Sequence, residues 1–416
     1  MSGPAACRRR RAINAIRSTI MLPRTDQWIF RVAWAAILFV AGCGAVAQQP
    51  PTLDDFWADK AHFVETRKVD WSKLPGGDYA ETSSWFAIDG GTWYAFNRAG
   101  VPQRNPACPT DNMQTVVRAS SDEGATWTPP TVVAAPGDSK RGDGCAILDG
   151  ASIYDAASDT WHMLAQCLEL HNAGSWMLCH YTRQGRSPLG RFVADPLNPV
   201  VKAGMLWSSM CADKPGICDP SGTQFEGTPD IVRNANGLFY VTFHGYELKS
   251  GRGVRGIATT KDFQKWNTRG GDLPQGAMLG PDDCRRWISA CVGVGTATVL
   301  STKRNSYFLF EAMDQNLGCT PGQNWVFSIA RSPRDTWLPS GSPRWEFQKG
   351  PPLITPSAYA KGLPCAVQYA RWFQSRGTTW LIYEERQPES LFLVRRLMKL
   401  VWGNSGERMV IKGRQP

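Results

Sequence analysis

The chain has 416 residues, a formal net charge of +10, and 40 glycines, 29 prolines and 18 tryptophans. Seven arginines and one aspartate place +6 of that charge within the first 31 residues. The rest of the chain is only weakly basic, which excludes the dense basic surface typical of a nucleic-acid-binding protein.

The first predicted element is an export signal. Residues 32–42, "VAWAAILFVAG", are apolar or small and follow the arginines. This run is shorter than the roughly 20 residues of a transmembrane helix and is typical of the apolar part of a signal peptide. We interpret residues 1–47 as a leader cleaved after Ala47, and expect a periplasmic or secreted protein. Residues 40–43 also resemble a lipobox, which would instead leave a lipid anchor at Cys43.

Ten cysteines remain outside this leader. An even number in an exported chain predicts disulfides, although spacing alone does not give their connectivity. A local bridge from Cys167 to Cys179, across one hairpin, is expected. The pairs Cys211/Cys218 and Cys284/Cys291 lack the C-x2-4-C spacing of structural zinc sites. No cofactor is expected, and no structural calcium is indicated.

Five hairpins follow along the chain. Each has a second strand that begins with an aromatic residue: Trp93, Trp161, Phe239, Tyr307 and Trp380. A second series of aromatic residues closes turns in the same phase: Trp127, Phe192, Trp266, Trp337 and Trp402. Both series repeat about every 70 residues, and a repeat of this kind indicates a radial array. We predict an all-β fold, one five-bladed β-propeller of four-stranded antiparallel blades over residues 52–416.

One closing turn carries a known local motif. Ser120, Asp122, Gly124 and Trp127 match S-x-D-x-G-x-x-W, the Asp-box seen in sialidases and other propellers. Aspartate can cap backbone amides in a turn, glycine can adopt a left-handed conformation, and tryptophan can pack between sheets. The motif therefore predicts a structural role.

Three carboxylates precede three of the hairpin turns at similar distances. Glu226, Asp149 and Glu81 lie 11, 10 and 9 residues before Gly237, Asp159 and Gly90. In a propeller the first strand of each blade lines the central axis. The sequence therefore predicts that the three carboxylates face one axial pocket.

The segments around these residues resemble glycoside hydrolase family 43. "FEGTPDIVRNANGLFYVTF" is similar to its E-G-P segment, "LDGASIYDAASDTWHML" to its second-blade segment, and "TTKDFQKW" and "RSPLGRF" to its closing turns. The resemblance implies that Glu226 is the general acid and that Asp149 adjusts the pKa of that acid. The family base is an Asp in an Asp-Pro segment, and Glu81 stands nearest to that position.

The chain departs from the family pattern at two further places. Gly150 follows Asp149 where the family has proline, and Thr228 is inserted between Gly227 and Pro229. These departures leave room for an altered specificity, for a different reaction, or for a protein that only binds.

The chemistry of glycoside hydrolysis requires one protonated and one ionised carboxyl group on opposite sides of the bond. We therefore expect an exported, monomeric glycoside hydrolase, inverting, that acts on a poly- or oligosaccharide. Trp85, Trp207 and Trp287 are candidate surfaces for sugar rings. One alternative is a non-catalytic carbohydrate-binding propeller, which the missing Asp-Pro segments favour. A second is a sialidase-like enzyme, which the Asp-box favours.

Overall fold

The structure is a computed structural model. It describes residues 48–78, 81–108, 112–137, 142–169, 176–212, 223–233, 237–247, 252–268, 278–285, 288, 291–314, 325–334, 345–349, 352–354, 367–386 and 393–403. The contacts of the chain separate Met1–Gln48 from a compact unit, Gln49–Pro416, which contains all the described elements.

The described part of the chain is almost entirely β-structure, in groups of four antiparallel strands. Strand β1 (Ala61–Val69) precedes a first group of β2 (Thr82–Asp89), β3 (Thr92–Gly100), β4 (Met113–Ser120) and β5 (Thr131–Ala134). The second group is β6 (Ala146–Asp155), β7 (Thr160–Leu168), β8 (Met177–Gln184) and β9 (Val193–Ala194). The third is β10 (Thr223–Arg233), β11 (Phe239–Glu247), β12 (Arg252–Thr260) and β13 (Trp266–Thr268).

The fourth group is β14 (Cys291–Ser301), β15 (Asn305–Asp314), β16 (Trp325–Pro333) and β17 (Glu346–Phe347). The last is β18 (Val367–Ser375), β19 (Thr378–Arg386) and β20 (Leu393–Trp402), with β1 as its fourth strand. The described helices are short: α1 (Leu53–Trp57), a 3-10 turn Trp71–Lys73, α2 (Met205–Ala212) and α3 (Pro281–Cys284). The N-terminal strand therefore completes the C-terminal sheet.

The predicted hairpins are confirmed as β2–β3, β6–β7, β10–β11, β14–β15 and β18–β19. Their turns use left-handed residues, such as Gly90 at φ +56° and Gly377 at φ +77°. Glycine adopts this conformation without a Cβ clash.

Each first strand of a group contains a bulge. Two residues face one partner residue at 83–84 of β2, 149–150 of β6, 228–229 of β10, 295–296 of β14 and 369–370 of β18. The first bulge residue is left-handed in four cases: Ser83, Asp149, Thr228 and Tyr369. A bulge re-aims side chains and commonly lies beside a functional site. The five bulges are therefore equivalent positions in the five groups.

Apolar clusters lie between consecutive groups and also between the last group and the first. Phe96 of the first group packs with Trp161 of the second, and Leu164 of the second with Val241 of the third. The third and fourth groups meet through Ile257 and Phe308, and the fourth and fifth through Phe327 and Leu381. Trp93 and Trp380 join the first group to the fifth. The order of sheet contacts is therefore cyclic.

Three disulfides are described. Cys108–Cys145, Cys167–Cys179 and Cys284–Cys291 have Cα atoms 5.5, 5.8 and 6.0 Å apart. The predicted bridge across the β7–β8 hairpin is therefore confirmed.

The turn from Ser120 to Trp127 has the local geometry that the motif predicts. Oδ1 of Asp122 accepts hydrogen bonds from the Ser120 hydroxyl at 2.8 Å and from the Thr126 backbone N–H at 2.9 Å. Gly124 is left-handed at φ +79°, and the Trp127 ring packs edge-on against Trp71. These bonds hold the turn together, which is a structural role.

Candidate active site

A cavity of about 180 Å³ lies beside the bulges of β6, β10, β14 and β18. Carboxylates, amides, a histidine and several aromatic rings line it, which is the mixture of apolar walls and few polar groups typical of small-ligand sites. The lining residues are Asp149, Gln166, Trp176, Phe225, Gly227, Thr228, His244, Tyr246, Gly295, Thr296, Glu311, Trp325, Gln368 and Tyr369.

Tyr369 joins the two carboxylates of this cavity. Its backbone N–H donates to Oε1 of Glu311 at 2.8 Å, and its hydroxyl donates to Oδ2 of Asp149 at 3.5 Å. The Arg98 guanidinium lies 3.8 Å from the same Oδ2 and 5.8 Å from the centre of the Tyr369 ring. Tyr369 is held at φ +52°, a strained conformation for a bulky residue. Burial, and then the charge of Asp149, raise the pKa of Tyr369, so its hydroxyl stays a donor.

Glu311 lies in the middle of β15 and opposite the bulge of β14. Its Oε2 accepts the Thr296 backbone N–H at 2.9 Å, so both carboxyl oxygens are held by backbone amides. Burial raises the pKa of Glu311 to about 7, although the two amides and Arg371 act in the opposite direction. The side chain is therefore protonated below about pH 7 and can exchange a proton near neutrality.

Neutral polar groups complete the cavity wall. Burial, and then the charge of Arg255, lower the pKa of His244 to about 3, so this ring is uncharged at neutral pH. Its Nε2 is buried, and no described group hydrogen-bonds to it. Oε1 of Gln166 accepts the Thr228 backbone N–H at 2.9 Å and fixes the β10 bulge. These side chains offer uncharged hydrogen-bonding groups to a ligand.

Glu226 does not line this cavity. Its carboxyl oxygens accept the backbone N–H groups of Gly204 at 2.6 Å and Leu206 at 2.9 Å, at the start of α2. The side chain is fully buried, and burial raises the pKa of Glu226 to about 7 against the effect of these amides. The structure therefore does not bring Glu226 into the lining of this cavity, and its role as general acid stays a prediction.

The reason lies in the register of β10. This strand has two irregularities, one between Gln224 and Gly227 and one between Gly227 and Asp230. Thr228 therefore occupies in β10 the bulge position that Asp149 occupies in β6. Side chains alternate along a strand, so a shift of one residue turns a side chain to the other face. The strand that contains the inserted Thr228 is therefore irregular around Glu226, and the Glu226 side chain points toward α2.

Glu81 also lies away from the cavity, in a buried ion cluster of Glu81, Arg118, Glu384 and Arg395. Nε and Nη2 of Arg118 donate to the two Glu81 oxygens at 2.7 and 3.0 Å, and both side chains are at most 1% exposed. Arg395 contacts Glu384 at 3.2 Å. The guanidinium groups of Arg118 and Arg395 lie 5.6 and 5.0 Å from the Trp71 ring. Of the three predicted pocket carboxylates, only Asp149 faces the cavity.

The predicted aromatic residues are also placed elsewhere. Trp85 stacks on Phe96 in an apolar cluster and donates its indole N–H to Ser152 at 2.9 Å. Trp207 is buried against Phe243 and donates to the Phe225 carbonyl at 2.9 Å. Neither lines this cavity, although Trp85 lines a second one, and Trp287 lies outside the described residues. Trp176 and Trp325 provide the tryptophan surfaces instead.

The cavity residues missed by the sequence analysis lie mainly on second strands. Glu311, His244 and Gln166 each lie within a largely apolar strand, in "YFLFEAM", "YVTFHGY" and "HMLAQCL". A polar residue inside a buried strand requires a partner or a cavity. A polar residue inside such a strand is therefore the sequence feature that could have indicated these cavity residues.

The described part of the chain does not show the side-chain groups of two other kinds of site. It contains no group of three His, Cys, Asp or Glu side chains that could hold a metal ion. The described cavity lining includes no arginine, and hence not the arginine triad of a sialidase. No helix among the described residues is long and apolar enough to cross a membrane.

Comparison with known proteins gives matches in structure alone. No protein-family profile and no curated protein matches the sequence. BT0996, solved as an RGII complex, matches with a TM-score of 0.56 at 11% identity, over 87% of this chain and 98% of its own. A thermostable family-43 glycoside hydrolase matches with a TM-score of 0.52 at 13% identity, over 84% of this chain and 98% of its own. An endo-arabinase from Bacteroides thetaiotaomicron matches with a TM-score of 0.52 at 11% identity, over 82% of this chain and 98% of its own. The resemblance to family 43 glycoside hydrolases is therefore confirmed at the level of the fold.

Proposed function

We propose that residues 52–416 form one five-bladed β-propeller, and that residues 1–47 are an export leader removed from the mature protein. The five antiparallel groups, their cyclic order of apolar clusters and their equivalent bulges support this architecture. The disulfides support folding in an oxidising compartment.

We propose that the cavity at the bulges binds a glycan and that the protein hydrolyses it. One observation carries this proposal: Asp149 and Glu311 line the same cavity and are joined through Tyr369. Two carboxyl groups at one ligand site are what glycoside hydrolysis requires. The matches to solved glycoside hydrolases support the assignment through the fold.

The environments of the two carboxyl groups suggest different roles. Glu311 is buried and retains its proton up to about pH 7, so we assign it as the general acid. Asp149 lies beside the Arg98 guanidinium, which favours its ionised form, so we assign it as the base. This assignment replaces the roles that the family resemblance implies for Glu226, Glu81 and Asp149.

A second candidate function is non-catalytic carbohydrate binding. The side chains of Glu226 and Glu81 lie outside the cavity and are held by α2 and by Arg118, which favours this alternative. Both candidates place a sugar in the same cavity and differ only in turnover.

The two candidates are separated by assaying the purified protein on arabinan, xylan, fructan and chromogenic glycosides. Catalysis predicts release of reducing sugar that is lost in Asp149→Asn and Glu311→Gln. Binding alone predicts affinity for one of these glycans, reduced in both variants, without sugar release. If the protein neither binds nor hydrolyses any of these glycans, the proposed function is contradicted.

A further inference from the structure

A second cavity, of about 320 Å³, continues along the same strands. We call it the second chamber. The two cavities share four first strands, β6, β10, β14 and β18, and β2 adds Trp85, Phe86 and Ile88 to the second. On the other four first strands, Ala151 follows Asp149, Asp230 follows Thr228, Thr298 follows Thr296, and Arg371 follows Tyr369.

The second chamber contains one charge of each sign. Asp230 and Arg371 are the charged residues of its described lining; Asp230 is half-buried and Arg371 is 5% exposed. They interact across space, but no ion pair within 4.0 Å joins them among the described residues. Asp230 accepts the Val299 backbone N–H at 2.8 Å, and Arg371 donates to the Ala297 carbonyl at 3.4 Å. A guanidinium has five N–H donors, so this contact satisfies only a small part of its capacity.

The buried Arg371 guanidinium is withdrawn from bulk water and does not touch Asp230, so it needs other polar partners. The volume equals that of about ten water molecules at roughly 30 Å³ each, more than bridging one carboxylate and one guanidinium requires. The balanced charges disfavour a free anion or a metal ion. Ser152, Thr298 and Gln374 add hydroxyl and amide groups to the lining.

We propose that the second chamber is a binding site for a small uncharged polyhydroxy molecule, about the size of one monosaccharide, which bridges Asp230 and Arg371. Its hydroxyl groups donate to the carboxylate and accept from the guanidinium. This site is separate from the glycan cavity and requires no turnover there.

Crystals of the full protein soaked in D-xylose, together with calorimetric titration in solution, test the proposal. We expect a sugar ring in the second chamber in contact with Asp230 and Arg371. Asp230→Asn should weaken binding at this site at least tenfold, because the amide cannot supply the ionised acceptor. An Asn oxygen can still accept the Val299 N–H, which preserves the strand contact. Asp149→Asn, the same substitution in the first cavity, should leave binding in the second chamber unchanged.

A chamber that contains only water in soaked crystals would overturn the proposal, as would xylose binding that Asp149→Asn abolishes and Asp230→Asn does not affect. Gln374→Ala provides a second variant at an exposed lining residue, should Asp230→Asn not fold. It should weaken binding several-fold, and an unchanged affinity in this variant also contradicts the site.

Discussion

Two regions of the molecule bury acidic side chains in different ways. In the ion cluster, Glu81 and Glu384 each contact a guanidinium, and Trp71 lies under both arginines. In the cavity, Glu311 is held by two backbone amides and faces open space. A buried carboxylate in contact with a guanidinium has no open face for a ligand. Burial raises the pKa of Glu311 in spite of the two amides that hold it, and its side chain lines the cavity, which suits proton transfer.

The largest expected effect follows from replacing Glu311 in the cavity. Glu311→Gln should lower the hydrolysis rate by roughly 10²–10⁴-fold for poor leaving groups, and much less for leaving groups that need no proton. The wild-type rate should fall as pH rises through about 7, because the acidic form of Glu311 is lost there. Chromogenic glycosides with leaving groups of different basicity provide the measurement. Equal losses for all leaving groups would remove the proton-donor role.

The ion cluster should respond through stability. Arg118→Met leaves the Glu81 carboxylate buried without its partner, and should lower the free energy of unfolding by about 3–5 kcal/mol. Denaturant titration measures this change. Arg186→Met is the matched control at the pair with Asp89, where the arginine is exposed and we expect a much smaller loss. Similar losses in the two variants would break the contrast between buried and exposed pairs.

The disulfide across the β7–β8 hairpin lies beside the strands that line the cavity. Removing it tests whether the stability of the fold can be lowered without a loss of activity. Replacing both Cys167 and Cys179 by Ala should lower the unfolding free energy by about 2–5 kcal/mol. Thermal unfolding under oxidising conditions gives the measurement. Activity per folded molecule should persist, and its loss would show that the bridge also positions the cavity.

Replacing Glu226 should have the smallest effect, and the resulting change in the free energy of unfolding depends on pH. Its folded pKa of about 7 is above the ordinary value of 4.5, so its contribution to stability is fully present below about pH 4.5 and is lost as pH rises through 7. Glu226→Gln cannot ionise, and should gain stability relative to wild type between pH 5 and pH 8. Its hydrolysis rate should stay near wild type. A large rate loss with normal stability would return Glu226 to the catalytic role.

The sequence was informative where local physical rules decide the structure. The hairpin at Gly90 and Gly91 follows from turn chemistry, and the Cys167–Cys179 bridge from the proximity of paired strands. The pairing of β1 with β20 joins residues over 300 positions apart and had no local signal.

The site was less predictable because bulges decide which side chains face the cavity. Glu226 has a motif-like neighbourhood, but two irregularities in β10 turn its side chain toward α2. Nothing in the alternation of apolar residues indicates such a bulge. Asp149, itself a bulge residue, does line the cavity. Glu311 belongs to no motif, and only its position within an apolar strand marks it.

A crystal structure with a bound glycan fragment tests the central claim most directly. The fragment should come from the best-bound glycan of the panel, soaked into crystals of the Glu311→Gln variant so that it is not cleaved. We predict a sugar ring in the first cavity, within hydrogen-bonding distance of Asp149 and of residue 311. A sugar bound instead against Glu226 or Glu81, with the first cavity empty, would contradict the account.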